Sequence, residues 1–294
     1  MTRLQMICLS ALVSLASLAG GSSAHAQYAT AVVSYNQGTF IPAGNNNQSA
    51  ALGWPSRYTN DVFFPSVVSP FSSPFLPGQI LSVGEGGHVT LKLSNYVIPQ
   101  ASGAPEIGVF ENVNLNDPNW PSGIADSSSS VFGEDSAVVD VSADGITWVT
   151  LGSKLFDRPS NGYTDVTNPY SITPGSVLSD FQQPFTGQNV DFSNLPYYSA
   201  GGPDILEVLA GSGGGTWIDI SSSGLPQVGY IRFSVLDDLN ANSKLTLELD
   251  AVSISHAAQG SAVVPEPTTI ILAALALLPL GLRRAHRSLQ RAAG

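Results

Sequence analysis

The stretch AVVDVSADGITWVTLG, Ala137 to Gly152, decides the fold class. Two runs rich in β-branched residues flank Ala143-Asp144-Gly145, and Asp-Gly between such runs supplies the positive φ that a hairpin turn needs. An antiparallel hairpin is expected there. Outward from it the period of two recurs. Val89, Leu91 and Leu93 alternate with His88, Thr90, Lys92 and Ser94; Ile231, Phe233 and Val235 alternate around Arg232 and Ser234; Leu245, Leu247 and Leu249 alternate around Thr246, Glu248 and Asp250. Such alternation puts one face of a strand in a core and the other in water. It predicts Trp148 in the core and His88 and Asp250 facing solvent. With short strands separated by Gly, Pro and Asn turns, and no long amphipathic helix, the chain reads as mostly β. The expected architecture is an antiparallel β-sandwich of the jelly-roll kind over residues 27–255.

Two stretches resist this reading. Residues 36–77 carry Pro42, Pro55, Pro65, Pro70, Pro74 and Pro77, and residues 157–215 are dense in Pro, Gly, Asn and aromatic residues. Connections of more than about 15 residues are usually functional loops or insertions. Within the second, Gly211 to Gly215, GSGGG, lacks the Lys and the following helix of a phosphate loop and reads as a flexible turn. Residues 256–264, HAAQGSAVV, read as a linker.

The chain opens with the layout of a secretory signal peptide over residues 1–26: basic Arg3, an apolar run from Met6 to Ala19, and the small-x-small pattern Ala24-His25-Ala26. Cys8, the only cysteine, lies in that run, too early for a lipid-attachment cysteine. The mature chain then has no cysteine, which excludes disulfides, thiol catalysis and Cys-ligated metals. Between Gln27 and Val264 six basic residues face 21 acidic ones, a net charge of −15. Such a surface repels nucleic acid and anionic lipid and suits cations or neutral glycans.

At the other end, Ile270 to Leu282 is an uncharged apolar run of 13 residues, a short transmembrane helix by the ~20-residue standard. Arg283, Arg284 and Arg287 follow it, and the positive-inside rule holds that end in the cytoplasm. Before it stands Pro265-Glu266-Pro267, where two prolines keep the backbone extended, in a form that a processing enzyme can grip. Pro-Glu-Pro, an apolar helix and an Arg-rich tail, over residues 265–294, resemble the PEP-CTERM sorting signal of exported bacterial proteins. That resemblance implies export machinery, signal peptidase and an exosortase as partners, membrane attachment through the C-terminal helix before processing, and a final place on the cell surface or outside the cell. Pro279 and Gly281, late in the apolar run, depart from an unbroken helix.

A second resemblance rests on the order of GGHVTLKL (Gly86 to Leu93), EIGVFENV (Glu106 to Val113), the central hairpin, YIRFSVLDD (Tyr230 to Asp238) and LTLELDAVSI (Leu245 to Ile254). It is similar to galactose-binding-like, discoidin-like jelly rolls of bacterial surface proteins, over about half of the mature chain. Its most telling pieces are Val-Phe-Glu-Asn at 109 to 112 and Val-Ser-x-Asp-Gly at 141 to 145. Ile107-Gly108 departs from the acidic and aromatic residues expected before Val109, and 157–229 has no counterpart. The resemblance implies a structural calcium ion in many members and a glycan ligand in some.

Asp238, Asn240 and Asn242 form a D-x-N-x-N run of alternate oxygen ligands, a candidate calcium loop. Against it, Ser243 replaces the usual glycine, Lys244 takes the next ligand's place, and a solvated turn explains the run equally. Glu111 and Asn112 are either ligands or a turn-stabilising pair. Trp54, Trp120 and Trp217, with Tyr197 and Tyr198, are candidate glycan contacts because aromatic faces stack on sugar rings; loop aromatics also close the ends of β cores. No catalytic residue is assigned: His88 and His256 are the only histidines of the mature domain, and Gly-x-Ser-x-Gly, His-Glu-x-x-His and a P-loop are absent. The resulting expectation is a non-catalytic binding or structural protein of the envelope or exopolysaccharide matrix. The rival is a secreted hydrolase acting on polysaccharide.

Overall fold

The computed structural model describes residues 27–128, 130–133, 135–237 and 246–264. The signal helix, the Asp238–Asn242 run, Pro265-Glu266-Pro267, the apolar tail and Arg283 and Arg284 lie outside the described residues. Among the described residues no helix is long and apolar enough to cross a membrane.

Twelve strands are described: β1 (Ala29–Asn36), β2 (Leu81–Gly84), β3 (His88–Val97), β4 (Ile107–Glu111), β5 (Asn114–Leu115), β6 (Val131–Phe132), β7 (Asp135–Ser142), β8 (Val149–Phe156), β9 (Thr216–Ile218), β10 (Val228–Ser234), β11 (Thr246–Ile254) and β12 (Gln259–Val263). The one α-helix among the described residues, α1 (Ile205–Leu209), is a short turn capped by Asp204. Every strand pairing in the sheets is antiparallel. One sheet runs β1-β3-β10-β7-β8 with β12 on β3, the other β2-β11-β4-β9, and β5 pairs with β6 alone. The chain is mostly β, and its two sheets share one core, an arrangement compatible with a β-sandwich.

The alternating residues build that core. Val89, Leu91, Leu93, Val139, Val141, Ile231 and Phe233 of the first sheet meet Val83, Ile107, Val109, Leu247, Leu249, Val252 and Ile254 of the second, all buried. The central hairpin forms as β7 and β8, joined by residues 143–148 rather than a two-residue turn. Asp144 accepts backbone N–H bonds from Ile146 and Thr147, both 2.8 Å, and Gly145 takes φ +75°. The longer turn carries Trp148 to the outer face, half-buried under the Arg232 guanidinium at 4.5 Å, and not into the core as the alternation predicted. Arg232 also donates from Nε and Nη2 to Asp140, at 3.0 and 2.9 Å.

Three further expectations are corrected. Residues 256–264 are not a linker: Ile98 N–H donates to Ala258 at 2.7 Å, β12 extends the first sheet, and Val264 is buried. Thr90, Lys92 and Ser94 are buried rather than solvated, because β3 is flanked by β1 and β10. Asp250 is also buried, since β11 shifts register between Leu249 and Ala251 and Asp250 is the extra residue of the bulge. Its carboxylate accepts from Ser56 N–H (2.7 Å) and Oγ (2.8 Å).

The second sheet has an apolar outer face as well. Phe110, Trp217 and Ala251 point away from the shared core and pack with Tyr28, Phe71, Phe181, Phe185, Phe192, Tyr197, Ile205 and Leu209. The two irregular stretches supply this cover and interlock. Val67 N–H donates to Ser171, Gly162 N–H to Val68, and Arg57 lies 4.2 Å over the Phe181 ring with Nη2 donating to Ser179. GSGGG is part of that cover and not a flexible turn. A Cβ on Gly213 would fall 2.0 Å from the Phe181 ring, and one on Gly215, at φ +77°, 2.8 Å from Phe110 and 2.9 Å from Val109 O. These glycines let backbone lie directly on aromatic faces.

Two stability predictions follow from this packing. Gly215→Ala combines left-handed backbone with a clash against a fixed carbonyl, so it lowers unfolding free energy by about 2 kcal/mol or more in urea titrations. Burial pushes the Asp250 carboxyl up to about 7 despite the two Ser56 hydrogen bonds. A raised carboxyl pKa contributes stability that is complete below the ordinary value near 4 and is lost as pH rises through about 7. The slope of stability against pH between about 5 and 7 is therefore negative and flattens in Asp250→Asn, read by melting temperature across that window.

Candidate functional site

A groove of about 680 Å³ opens where the two irregular stretches meet the β5–β6 ribbon. Its floor is Phe71 and Leu115, which belong to the second core. Its walls are Phe63, Phe64, Trp120, Phe132, Tyr170 and Ile172. Phe63, Trp120 and Phe132 are 84%, 67% and 75% exposed, so this is a patch of large aromatics displayed to solvent.

Each wall has a local cause. Thr59 and Ser66 bond across a narrow finger, Thr59 N–H to Ser66 O at 2.9 Å, and Asp61 Oδ1 accepts the N–H groups of Phe63 (2.7 Å) and Phe64 (2.6 Å). The aspartate turns the tip so that two consecutive phenylalanines leave the surface. Phe132 is presented by its pairing with Asn114. Trp120 precedes a cis proline, Pro121, and packs edge-on against Tyr170, ring centres 6.0 Å apart.

Asp117 organises that wall. Oδ1 accepts from Ser122 Oγ (2.7 Å) and Asn119 N–H (3.2 Å), and Oδ2 accepts from Gly123 N–H (2.8 Å) and the Tyr170 hydroxyl (2.9 Å). Partial burial works against its charge, but these bonds outweigh it and hold the carboxyl below the usual range. Burial, then the bond to Asp117, pushes the Tyr170 hydroxyl well above its ordinary value. Tyr170 thus stays neutral, a fixed ring face beside Trp120. On the opposite lip Asn114 Oδ1 accepts Ser73 N–H at 2.6 Å, and among the described residues its Nδ2 makes no hydrogen bond. Chemically the groove offers aromatic faces, amide groups and a saturated carboxylate.

Of the candidate glycan contacts, Trp120 lies on this groove. Trp54 is exposed but stands elsewhere, stacked at 5.9 Å on Tyr28. Trp217 is buried, donates Nε1–H to Gly214 O and meets Phe110 edge-on; it belongs to the second core. Tyr197 is likewise buried, its hydroxyl donating to Asn161, and Tyr198 is exposed. Phe63, Phe64, Phe132 and Tyr170 went unrecognised as site residues. The run Asp61-Val-Phe-Phe-Pro65, greasy in a polar proline-rich stretch, was the available signal. Among the described residues no group of three or more His, Cys, Asp or Glu side chains stands ready to hold a metal ion. His256, expected in a linker, pairs with Asp180 at 2.8 Å, and His88 sits half-buried at the end of β3.

The Asp117–Tyr170 bond gives a direct test of how the wall is held. Asp117→Asn leaves two donors facing an amide nitrogen and costs about 2 kcal/mol, Tyr170→Phe costs about 1 kcal/mol, and the double variant costs less than the two together in urea unfolding, because the shared bond is counted twice. No family model matches the chain, and no curated protein matches it.

Proposed function

We propose that this is an exported bacterial protein of the cell surface or extracellular matrix whose β domain, a galactose-binding-like jelly roll, holds polysaccharide without cleaving it. The observation that carries the reading is the groove itself, with exposed Phe63, Trp120 and Phe132 around amide groups on a strongly acidic domain. The C–H faces of a sugar ring stack on aromatic rings while its hydroxyls pair with amides. A net charge of −15 between Gln27 and Val264 selects neutral or cationic glycans over anionic ones.

The same groove favours binding over hydrolysis. Glycoside hydrolysis ordinarily needs two carboxyl groups, one with a raised pKa to act as acid. Asp117 is the only acidic residue among the described residues lining the groove, its oxygens accept four hydrogen bonds, and its pKa is lowered.

The sorting part of the proposal rests on the order of Pro265-Glu266-Pro267, the apolar run and Arg283-Arg284 behind an N-terminal signal peptide. The ends of the described domain support it. Gln27 O accepts Ile254 N–H, its side chain bonds to Gln259, and Ser94 links Tyr28 O to Val264 N–H. Gln27 and Val264, the two ends of the described domain, therefore lie close together. On this reading the partners are the export machinery, signal peptidase, an exosortase and a polysaccharide.

Affinity electrophoresis of the purified full chain in gels cast with neutral, cationic or anionic polysaccharide tests the binding. Retardation by a neutral or cationic polymer is expected, with Trp120→Ala and Phe63→Ala each weakening it about tenfold or more and Trp54→Ala leaving it unchanged. Equal retardation of Trp120→Ala and the parent, or release of reducing ends, overturns the reading.

A further inference from the structure

β12, the strand that carries the chain to Pro265-Glu266-Pro267, is fastened to the domain at its two ends and held loosely between them. Before its root, His256 pairs with Asp180 at 2.8 Å and donates its N–H to Gln182 O at 3.2 Å, and buried Ala258 accepts Ile98 N–H at 2.7 Å. Past its far end, Val264 N–H donates to Ser94 O at 3.3 Å. The Val264 side chain is 1% exposed and seated on Gly229, where an added Cβ would fall 2.9 Å from Val264 Cγ1 and 3.0 Å from the Tyr96 ring. Between these ends β12 meets β3 at Gln259 with Val97 and at Val263 with Asn95, a register irregularity separates the two pairs, and Ser261 and Ala262 are exposed. No other described strand pairs with β12.

The burial of Val264 puts the folded domain one residue from Pro265-Glu266-Pro267. An enzyme that cuts a chain takes it as an extended peptide, reading backbone groups and alternate side chains on both sides of the bond. Here the residues before Pro265 already give backbone groups to β3 and a side chain to Gly229 and Tyr96. The missing length is not available on the other side either. From Val264 to the apolar run that opens at Ile270 the chain reaches at most about 20 Å when fully extended.

We propose that β12 is a latch that sets the rate of C-terminal processing: the enzyme acts on chains in which Val264 has left Gly229 and β12 has peeled from β3 back to Gly260. The inference rests on the sorting reading above and is independent of the aromatic groove. Cleavage itself hydrolyses one peptide bond beyond Val264, water supplying the hydroxyl of the new carboxyl group and a proton of the leaving amine. The latch is built to open by itself. An edge strand with few hydrogen bonds and an exposed middle lies at the low end of local stability, while β3 stays held by β1 and β10. Where opening and closing are faster than cutting, cleavage follows the open population. The fold, and not the motif alone, then decides how long the domain stays at the membrane.

The test staples the latch. Val97→Cys with Gln259→Cys joins β12 to β3 at a cross-strand pair whose spacing suits a disulfide, in a chain whose one cysteine, Cys8, lies in the segment read as a signal peptide. Pulse-chase of the full chain in its native host, with intact mass from membranes and medium, follows loss of the tail. The oxidised staple slows that loss about tenfold or more, and dithiothreitol restores the parental rate. Gly260→Ala, whose Cβ would fall 2.6 Å from Tyr96 O, opens the latch without touching the motif: the Val264 amide exchanges faster and the tail leaves about fivefold sooner or more. An oxidised staple processed at the parental rate, or Gly260→Ala with faster Val264 exchange and unchanged tail loss, overturns the latch and leaves the sorting reading standing. A parent that keeps Arg291 in every fraction overturns both.

Discussion

Everything irregular in this protein depends on one constraint: the β2-β11-β4-β9 sheet is apolar on both faces. Val109 enters the shared core and its neighbour Phe110 points the other way; the bulge at Asp250 similarly lets Leu249 and Val252 face inward while Ala251 faces out. Phe110 and Trp217 are large enough that leaving them in water would each forfeit about 2–3 kcal/mol of burial. The small β5–β6 ribbon adds Leu115 to their cover, and the two proline- and glycine-rich stretches, tied by backbone hydrogen bonds to one another, supply most of the rest. The aromatic groove lies at the margin of that cover. Phe71 and Leu115 are second-core residues at its floor, so the scaffold that positions Trp120 and Tyr170 is the same packing that closes the outer face of the sheet.

The strands were legible because burial against a single core imposes a period of two, and where that holds, as at Val89-Leu91-Leu93 or Ile231-Phe233-Val235, the pattern translates directly into buried positions. It failed where the phase slips. The run Leu245 to Ile254 reads as alternating through Leu249 and resumes out of phase at Val252, and that slip is the bulge that buries Asp250. Trp148 was misplaced because Asp144 caps a six-residue turn, which re-aims the residue entering β8. The second core left no periodic trace at all. Its members come from single positions scattered through irregular backbone, such as Phe71, Phe181, Phe185 and Tyr197, and in a sequence these look the same as exposed loop aromatics. Trp217 and Trp120 were therefore indistinguishable until packing separated them.

The acidity of the chain has a structural meaning beyond surface potential. In backbone with few ladder bonds, Asp side chains take the place of carbonyl acceptors. Asp61, Asp117, Asp126, Asp144, Asp165, Asp180, Asp191, Asp204 and Asp219 each accept at least one backbone N–H, most from residues two or three positions on. These are the short-range turns that aspartate favours, and they fix loops whose composition would otherwise predict disorder. Where such bonds prevail, as at Asp117, Asp144 and Asp219, the carboxyl is held ionised below its ordinary pKa.

Glu111 stands at the opposite extreme from those aspartates. An aspartate in a turn gains backbone donors because the chain around it has N–H groups to offer. Glu111 sits at the end of a central strand, where β11 and β9 flank β4 and its neighbours' amides are directed into the ladders. Burial, followed by the charges of Asp135, Glu248 and Asp157, pushes its carboxyl well above the usual range. A longer side chain reaching solvent, or an apolar one such as leucine, would suit a merely structural position better. The same domain thus treats carboxylates in two ways: those in turns, and buried Asp250 and Glu106, are satisfied by backbone donors, and Glu111 is left open among other acids.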